Sequence, residues 1–343
     1  MKGPSIKDIA KMAGVSPATV SSIINGKTAH RRISSEVADK VLSIVKEVGY
    51  TPNQVAVSLR TGSSKIIGLL VEDISNIFYA SLASIIEDEL KLHGYRVVYC
   101  STKNDPVNCV EFINMLYQRQ VDGYIITPVE GTEESLLNLY RTKKPVILID
   151  RYFKELDLSH ILVDDKKGIF DGMEHLLQNG YRNIGFVTVD LKQTQMNGRE
   201  KAYTEFLQAN GMPLKQSNVL KIPYRTSNEK MIESIMAFIE KNKTLDALFF
   251  VTNYLTIAGL QALQRLNKKI PDDIAVLSFD DHDIFSIYPP GISAIRQPIE
   301  RIGHDAVELL MDYLKSPQVL AKRVHQFIPG ELIERGSTRK ATR

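Results

Sequence analysis

Between Ser5 and Ile24 apolar residues recur twice at the spacing of an α-helix, with one glycine between the two runs. Ile6, Ile9, Ala10 and Ala13 share a face of the first predicted helix, and Lys7, Asp8 and Lys11 turn outward. Gly14 ends that helix, since a glycine takes the positive φ of a tight turn, and Val15 offers an apolar plug beneath it. Ser16 suits the N-cap of the second helix and Pro17 its first position, where a missing N–H costs nothing. Val20, Ile23 and Ile24 form the buried stripe of this helix, which leaves Ala18, Thr19, Ser21 and Ser22 exposed before Asn25-Gly26 closes it. The order is that of a helix-turn-helix. A third helix follows, capped by Ser34, striped by Val37, Val41, Ile44, Val45 and Val48, and stopped by Gly49.

Beyond Gly62 the pattern changes to short apolar runs alternating with helical segments. Ile66–Val71, Val97–Cys100, Tyr124–Thr127 and Val146–Asp150 read as parallel strands, separated by helices such as Tyr79–Leu92 and Val110–Gln118. A second series begins after Asp164, with strands at Ile184–Val189, Val219–Ile222, Ala247–Val251 and Ile274–Phe279. Two such series predict two doubly wound α/β subdomains with a ligand site in the cleft between them, at the carboxyl ends of their strands.

Charge separates the two regions. The chain carries a net charge of only +3, yet residues 1–65 hold ten Lys and Arg against four Asp and Glu, so the head is +6 and the remainder −3. Attraction to a polyanion such as DNA therefore resides in the head. The short side chains of Ser16, Pro17, Ala18, Thr19, Ser21 and Ser22, with Asn25, would let the second helix approach base edges and phosphates closely. His30, Arg31 and Arg32 in the following loop serve either as phosphate contacts or as a solvated loop.

The opening MKGPSIKDIAKMAG has no apolar signal core, and no uninterrupted apolar stretch approaches a membrane span, so a soluble cytoplasmic protein is expected. Cys100 and Cys109 lack the Cys/His grouping of a zinc site and read as buried free thiols. No G-x-G-x-x-G, Walker A, H-E-x-x-H or G-x-S-x-G motif is present. Asp164-Asp165 and Asp280-Asp281 could be imagined as general acid/base pairs, but strand-end aspartates more often cap or bind. An enzyme, a metal site and a cofactor are therefore not expected.

After the third helix the segment Tyr50-Thr51-Pro52-Asn53-Gln54-Val55-Ala56-Val57-Ser58-Leu59-Arg60-Thr61-Gly62 is similar to the YxPNxxAxSLRTG hinge of the LacI/GalR family of bacterial transcription regulators. The resemblance extends over nearly the whole chain. It implies that residues 53–60 become a hinge helix on DNA, that Asn53, Leu59 and Arg60 belong to the DNA-binding set, and that two copies of Leu59 wedge a minor-groove step. An apolar wedge unstacks and kinks DNA at a cost offset by the added contacts, and eight residues are too few to be a stable helix alone. The family also takes base contacts from the positions of Pro17, Ala18 and Ser22. Its members often carry a basic or bulky side chain at the last of these, and a serine cannot make the bidentate guanine contact of an arginine.

The same resemblance implies a periplasmic-binding-protein-like core and a site for a small effector. The DISNIF stretch, similar to the family's DISNPF, brings Asp73, Ser75, Asn76 and Phe78 to the cleft mouth. Asp150 and Arg151 match an ID-R turn, Arg199 stands at the ligand-clamping arginine, Tyr224 at a ring-stacking aromatic, Asn253 at the asparagine of an N-D pair and Asp280 in the FDD motif, with Gln193 and Gln195 lining the segment before Arg199. A guanidinium fork suits adjacent hydroxyls or a carboxylate. Tyr254 replaces the aspartate of the N-D pair, which removes an acceptor for sugar hydroxyls and leaves open a neutral, phosphorylated, acidic or larger saccharide, or a nucleoside.

The expected organisation is a headpiece at 1–49, a hinge at 50–62, a core at 63–335 and a tail at 336–343. Three crossings between subdomains are implied by the resemblance, with 63–163 and 292–325 in the first and 164–291 and 326–335 in the second. The expected protein is a homodimeric repressor of a two-fold operator, controlled by a sugar or sugar derivative. No heptad run follows ELIERGST, so no coiled-coil tetramer is expected. A corepressor-dependent or activating regulator, one responsive to nucleosides, a cytoplasmic ligand-binding receptor and a sugar-metabolising enzyme are the alternatives.

Overall fold

The computed structural model describes residues 4–26, 28, 33–51, 54–316 and 322–340, with the backbone alone at 54–56 and 59. These form two compact units, Met1–Ser64 and Lys65–Arg343.

In the first unit α1 (Ile6–Ala13), α2 (Pro17–Ile24) and α3 (Ser35–Glu47) enclose a small core of Ile9, Ala10, Ala13, Val20, Ile23 and Val41. A reciprocal capping box opens α1: Ser5 Oγ accepts from the Asp8 amide at 3.3 Å, and Asp8 Oδ2 accepts from the Ser5 amide at 2.8 Å. Gly14 takes φ +71° between α1 and α2, and the Val15 amide returns to the Ala10 carbonyl at 3.0 Å. Ser16 caps α2 through the Thr19 amide at 3.1 Å, as its sequence signature requires. Residues 54–61 are helical as α4 (Gln54–Thr61).

The second unit begins with β1 (Ile66–Val71), α5 (Ile77–Leu92), β2 (Arg96–Ser101), α6 (Pro106–Gln118), β3 (Gly123–Ile126), α7 (Glu133–Arg141), β4 (Val146–Ile149) and β5 (His160–Val163). It continues through α8 (Asp165–Gln178), β6 (Ile184–Asp190), α9 (Thr194–Ala209), β7 (Val219–Pro223), α10 (Asn228–Lys241), β8 (Ala247–Phe250), α11 (Asn253–Arg265), β9 (Ala275–Phe279), α12 (Asp283–Ile287) and β10 (Ser293–Arg296). The chain finishes with α13 (Ile299–Lys315), β11 (His325–Ile328) and β12 (Glu331–Ile333). One sheet has the order β11-β5-β4-β3-β1-β2 and the other β12-β10-β9-β8-β6-β7. All pairings are parallel except that of β12 with β10. Both sheets reverse direction of winding beside their first strand, between β1 and β3 and between β6 and β8, which are the points where a doubly wound sheet opens a crevice.

Two boundaries differ from the sequence-based expectation. Ser293, Ala294 and Ile295 pair with Leu277, Ser278 and Phe279 of β9, so 292–296 stays in the second subdomain and the return to the first begins only with α13, which packs on α5. His325–Ile328 pairs with His160–Val163, so 326–328 belongs to the first subdomain and the last crossing falls at 329–330. Short buried strands show their existence in a sequence but not their neighbours, and β5 itself, four residues long, was not anticipated.

Helices sit close on the second sheet where glycines face it. A Cβ placed on Gly259 of α11 would lie 2.2 Å from Phe250 Cζ, and the ring is fully buried. Gly259→Ala is therefore expected to destabilise the core by about 1–3 kcal/mol through overpacking. A lowered urea midpoint with an unchanged m-value would register this, and an unchanged midpoint would show that the ring can move aside.

Candidate functional site

On α2 the side chains anticipated to face DNA divide into two groups. Ser16, Pro17, Ala18 and Asn25 are exposed and Thr19 and Ser21 half-exposed. Ser22, expected outward, is instead 6% exposed, with its hydroxyl donating to the Ala18 carbonyl at 2.9 Å. Its position beside Ile23 places it on the flank of the apolar stripe, where a serine satisfies itself on the preceding turn. Arg60 of α4 donates to Ser21 Oγ at 3.2 Å, and Asn25 Nδ2 to the Ser21 carbonyl at 2.6 Å. Arg31 and Asn53 lie outside the described residues, and Leu59 falls within α4 with only its backbone described.

The second site is the cleft between the two sheets of the core. It is built from the carboxyl ends of β1, β4, β6, β7, β8, β9 and β10, so every lining segment leaves a strand there. At the end of β1, Asp73 Oδ1 accepts from the Ser75 amide and hydroxyl at 2.9 and 2.8 Å and from Lys103 Nζ at 2.6 Å. Asn76 Oδ1 accepts from the Phe78 amide at 3.1 Å and caps α5. These residues shape the mouth through local bonds, and Phe78 packs edge-on against Tyr79.

Deeper in, the Arg151 guanidinium is 3% exposed and fully engaged. Nε donates to Asp150 Oδ2 at 3.1 Å, Nη1 to Asn104 Oδ1 at 3.1 Å, and Nη2 to Tyr79 Oη at 3.1 Å and to Glu72 Oε2. Three bonds then cross from this cluster to the other subdomain. Tyr224 Oη donates to Glu72 Oε1 at 3.1 Å, Gln195 Nε2 to Asp150 Oδ2 at 3.3 Å, and Gln193 Nε2 to Asn104 Oδ1 at 2.9 Å.

Arg199, on α9, is 2% exposed. Its Nε donates to Asp165 Oδ1 at 2.7 Å and its Nη1 to the Val251 carbonyl at 2.6 Å, while the guanidinium lies 3.8 Å above the Phe279 ring. Asp280, at φ +71°, accepts from Gln297 Nε2 at 2.6 Å. Burial pushes the Asp165 carboxyl up to about 6 despite Arg199, with Asp150 and Asp280 adding to the rise. Burial likewise raises Asp280 above the usual carboxylate range, against the pull of Arg199 and Gln297. Two buried polar atoms of the lining have no partner among the described residues: the acceptor Gln195 Oε1 and the donor Asn253 Nδ2. Unpaired buried groups of both kinds are what a hydroxylated ligand would satisfy.

The chain matches two family descriptions, "Bacterial regulatory proteins, lacI family" over residues 5–53 and "Periplasmic binding protein-like domain" over residues 173–338. The HTH-type transcriptional regulator RegA of Clostridium saccharobutylicum is 30% identical over 335 residues, covering 97% of this chain and 99% of that protein. The chain belongs to the lacI family of bacterial regulatory proteins. The ribose operon repressor of Haemophilus influenzae is 29% identical over 313 residues, covering 91% of this chain and 92% of that protein. Among solved structures, the lac repressor dimer bound to operator and the anti-inducer ONPF shares the fold with a TM-score of 0.87 at 21% identity, covering 98% of this chain and 100% of that one.

In this lacI-family chain the structure brings Asp150, Gln195, Arg199, Tyr224 and Asp280 to one 50 Å³ inner chamber. Asp73, Ser75 and Asn253 line the adjoining outer chamber, which Tyr224 also borders, Asn76 borders both, and Phe78 reaches the inner one. Arg151 stands behind Asp150 and Glu72 rather than on the chamber wall. Sequence reasoning did not select Glu72, Tyr79, Asn104 or Gln297 as site residues. Glu72 was within reach, since it immediately follows β1, whereas Asn104 and Gln297 become visible only through their partners. Asp165, considered there only as half of an acidic pair, is the counter-ion of Arg199.

Replacing the buried Arg199 by methionine would leave the half-buried Asp165 without its cation, so R199M is expected to lower stability by up to about 3–5 kcal/mol. The double variant R199M/D165L is expected to recover at least half of that loss in urea unfolding. A single variant as stable as the parent would show that the pair has no structural part.

Proposed function

We propose that this regulator is a homodimeric repressor that binds a two-fold operator through α2 and α4 and releases or holds it according to a carbohydrate bound in the core cleft. The observation that carries the reading is the cleft itself. It joins two sheets by only a few polar bonds and keeps an unpaired buried acceptor, Gln195 Oε1, and donor, Asn253 Nδ2, on its walls. A ligand that pairs with both sides at once stabilises one arrangement of the subdomains over another, and only such differential affinity can move an equilibrium.

The DNA-facing reading rests on α2, whose Ser16, Pro17, Ala18, Thr19, Ser21 and Asn25 present small polar or apolar groups, and on Arg60 beside Ser21. Ser22 is withdrawn from this set because its hydroxyl is spent on the helix backbone. Two heads related by a dyad match an operator with two half-sites, and the cytoplasm, where a bacterial chromosome lies, is the place of action. Among the described residues no helix is long and apolar enough to cross a membrane.

Operator affinity measured during a titration with carbohydrates tests the coupling. A change of roughly fivefold to 150-fold is expected, corresponding to about 1–3 kcal/mol, and its sign separates an inducer from a corepressor. A carbohydrate that binds the core but leaves operator affinity unchanged would reject the mechanism. Leu59→Ala is expected to weaken operator binding by about tenfold or more while leaving nonspecific DNA binding nearly intact, because only a kinked site uses an apolar wedge. Fluorescence anisotropy at matched salt reads both, and an equal loss on the two DNAs would remove Leu59 from that part.

A further inference from the structure

Behind the bonds that hold the two subdomains together lies a stack of three rings. Three consecutive residues of the second subdomain bond the first: Gln193 to Asn104 at 2.9 Å, Thr194 to Tyr152, and Gln195 to Asp150 at 3.3 Å. Thr194 serves this bridge in both directions, its Oγ1 accepting from the Tyr152 amide and donating to the Tyr152 carbonyl, each at 3.3 Å. The Tyr152 ring stacks on His160, the first residue of β5, with 4.6 Å between centroids. His160 stacks in turn on His325, the first residue of β11, at 4.5 Å and with 4° between the ring planes. Phe327 meets the rings of Tyr152 and His160 edge-on at 6.2 and 5.4 Å. β11 leads through 329–330 into β12 of the second subdomain, so the stack links one polar bridge between the subdomains to one of the chain crossings.

His160 is 4% exposed, and its two nitrogens are unequal. Nδ1 lies 3.2 Å from the Leu158 carbonyl, which assigns the ring proton to it, whereas Nε2 is buried with no partner among the described residues. A second proton would place an N–H without an acceptor, and a positive charge, against the ring of His325. The charged and titratable groups around the ring are few. β11 supplies His325, whose Nε2 lies 3.1 Å from Asp157 Oδ1, and the segment before β5 supplies Asp157 itself. Arg323 Nε donates to the Asp157 carbonyl at 2.7 Å, with its guanidinium over the Tyr140 ring. α13 supplies the Tyr313 hydroxyl, bonded to Ser159, and β4 pairs with His160 through the apolar Leu148. Asp157 is exposed and already shared by Arg323 and His325, so no buried carboxylate stands ready for an imidazolium at His160. Burial and the His325 ring push His160 down to about 4, against the pull of the Leu158 carbonyl and Asp157.

We propose that His160 is an acid-sensitive latch of the core: its protonation breaks the ring stack behind Tyr152 and favours an arrangement of the subdomains in which the 193–195 bridge is undone. The latched ring resists a proton and the released ring titrates as an ordinary histidine near 6.5, so the released form binds more protons between those limits. Stabilisation of the latched form is therefore whole above about 6.5. Below that the opening equilibrium grows by roughly tenfold per pH unit, and the contribution is exhausted near 4. A proton with different affinity for the two arrangements acts on the same equilibrium as a ligand in the cleft, without touching that ligand. The consequence for DNA rests on the repressor reading above: a head whose operator affinity follows the core would answer to acid as well as to an effector.

Amide hydrogen exchange on the full-length protein reads the latch at the Tyr152 amide, which donates to Thr194. Its protection, corrected for the intrinsic exchange rate at each pH, is expected to fall by about tenfold between pH 7.5 and 5.5. His160→Phe keeps a stacking ring that cannot ionise, and is expected to hold the protection within about twofold over that range. Asp165, which takes up its proton near 6, is present in both proteins, so the difference between them isolates His160. The ring resonances of His160 in the unmutated protein give a reading that needs no variant to fold, and are expected to titrate below pH 5. Unchanged protection in the parent, an equal fall in His160→Phe, or a His160 ring that titrates near 6.5 would each overturn the latch. Fluorescence anisotropy on a genomic DNA fragment that the protein retains at pH 7.5 then reads the consequence for the head. A pH dependence of affinity that His160→Phe removes would support acid control of DNA binding. The same dependence in both proteins, beside a working latch, would overturn the coupling of core to head. Failure to retain any fragment would overturn the repressor reading alone, since exchange is measured without DNA.

Discussion

Arg151 is a permanently charged group taken out of water at the carboxyl edge of the first sheet, and much of the cleft is arranged by the need to neutralise it. An unpaired buried guanidinium would be intolerable, so its donors are met by residues from four places: Glu72 after β1, Tyr79 in α5, Asn104 after β2 and Asp150 after β4. Three strand ends of the first sheet and helix α5 are thereby held together. Three of these groups also accept from the second subdomain, Glu72 from Tyr224 through its other oxygen, and Asn104 and Asp150 from Gln193 and Gln195 through the oxygens that Arg151 already engages. Charge neutralisation inside one subdomain thus supplies the contacts between two.

The second sheet solves a matching problem with Arg199, but less completely. Asp165 pairs with it and Phe279 covers its face, yet Asp165 and Asp280 both remain harder to ionise than ordinary carboxyls. Stability is sacrificed there for a polar wall. Asp150 and Asp280, at φ +66° and +71°, each turn the backbone sharply at a strand end, a conformation that aspartate tolerates better than most residues. Those turns aim one carboxylate from each subdomain into the same space.

The head depends on a different balance. Its core is only a few apolar residues, so capping and turn chemistry carry a larger share of the order, as Ser5, Gly14, Ser16 and Ser34 show. The small side chains of α2 allow close approach but give few directional donors, and burial of Ser22 removes one of them.

Periodicity and end signals alone determined α1, α2 and α3 and eight of the strands, because a capped amphipathic helix and a buried apolar run are local properties of the chain. They also determined the basic head and the strand-end location of the cleft. The tertiary structure decided which sheet β10 and β11 join, since a four-residue strand such as SAIR or HQFI has no local mark of its neighbour. It decided that Ser22 turns inward, because a hydroxyl that bonds its own helix is tolerated on either side of an apolar stripe. It decided that Arg199 and Arg151 answer to Asp165 and Glu72, partners 34 and 79 residues away. The balance of charge in a cleft is a sum over groups brought together from distant strand ends, and only the folded chain performs that sum.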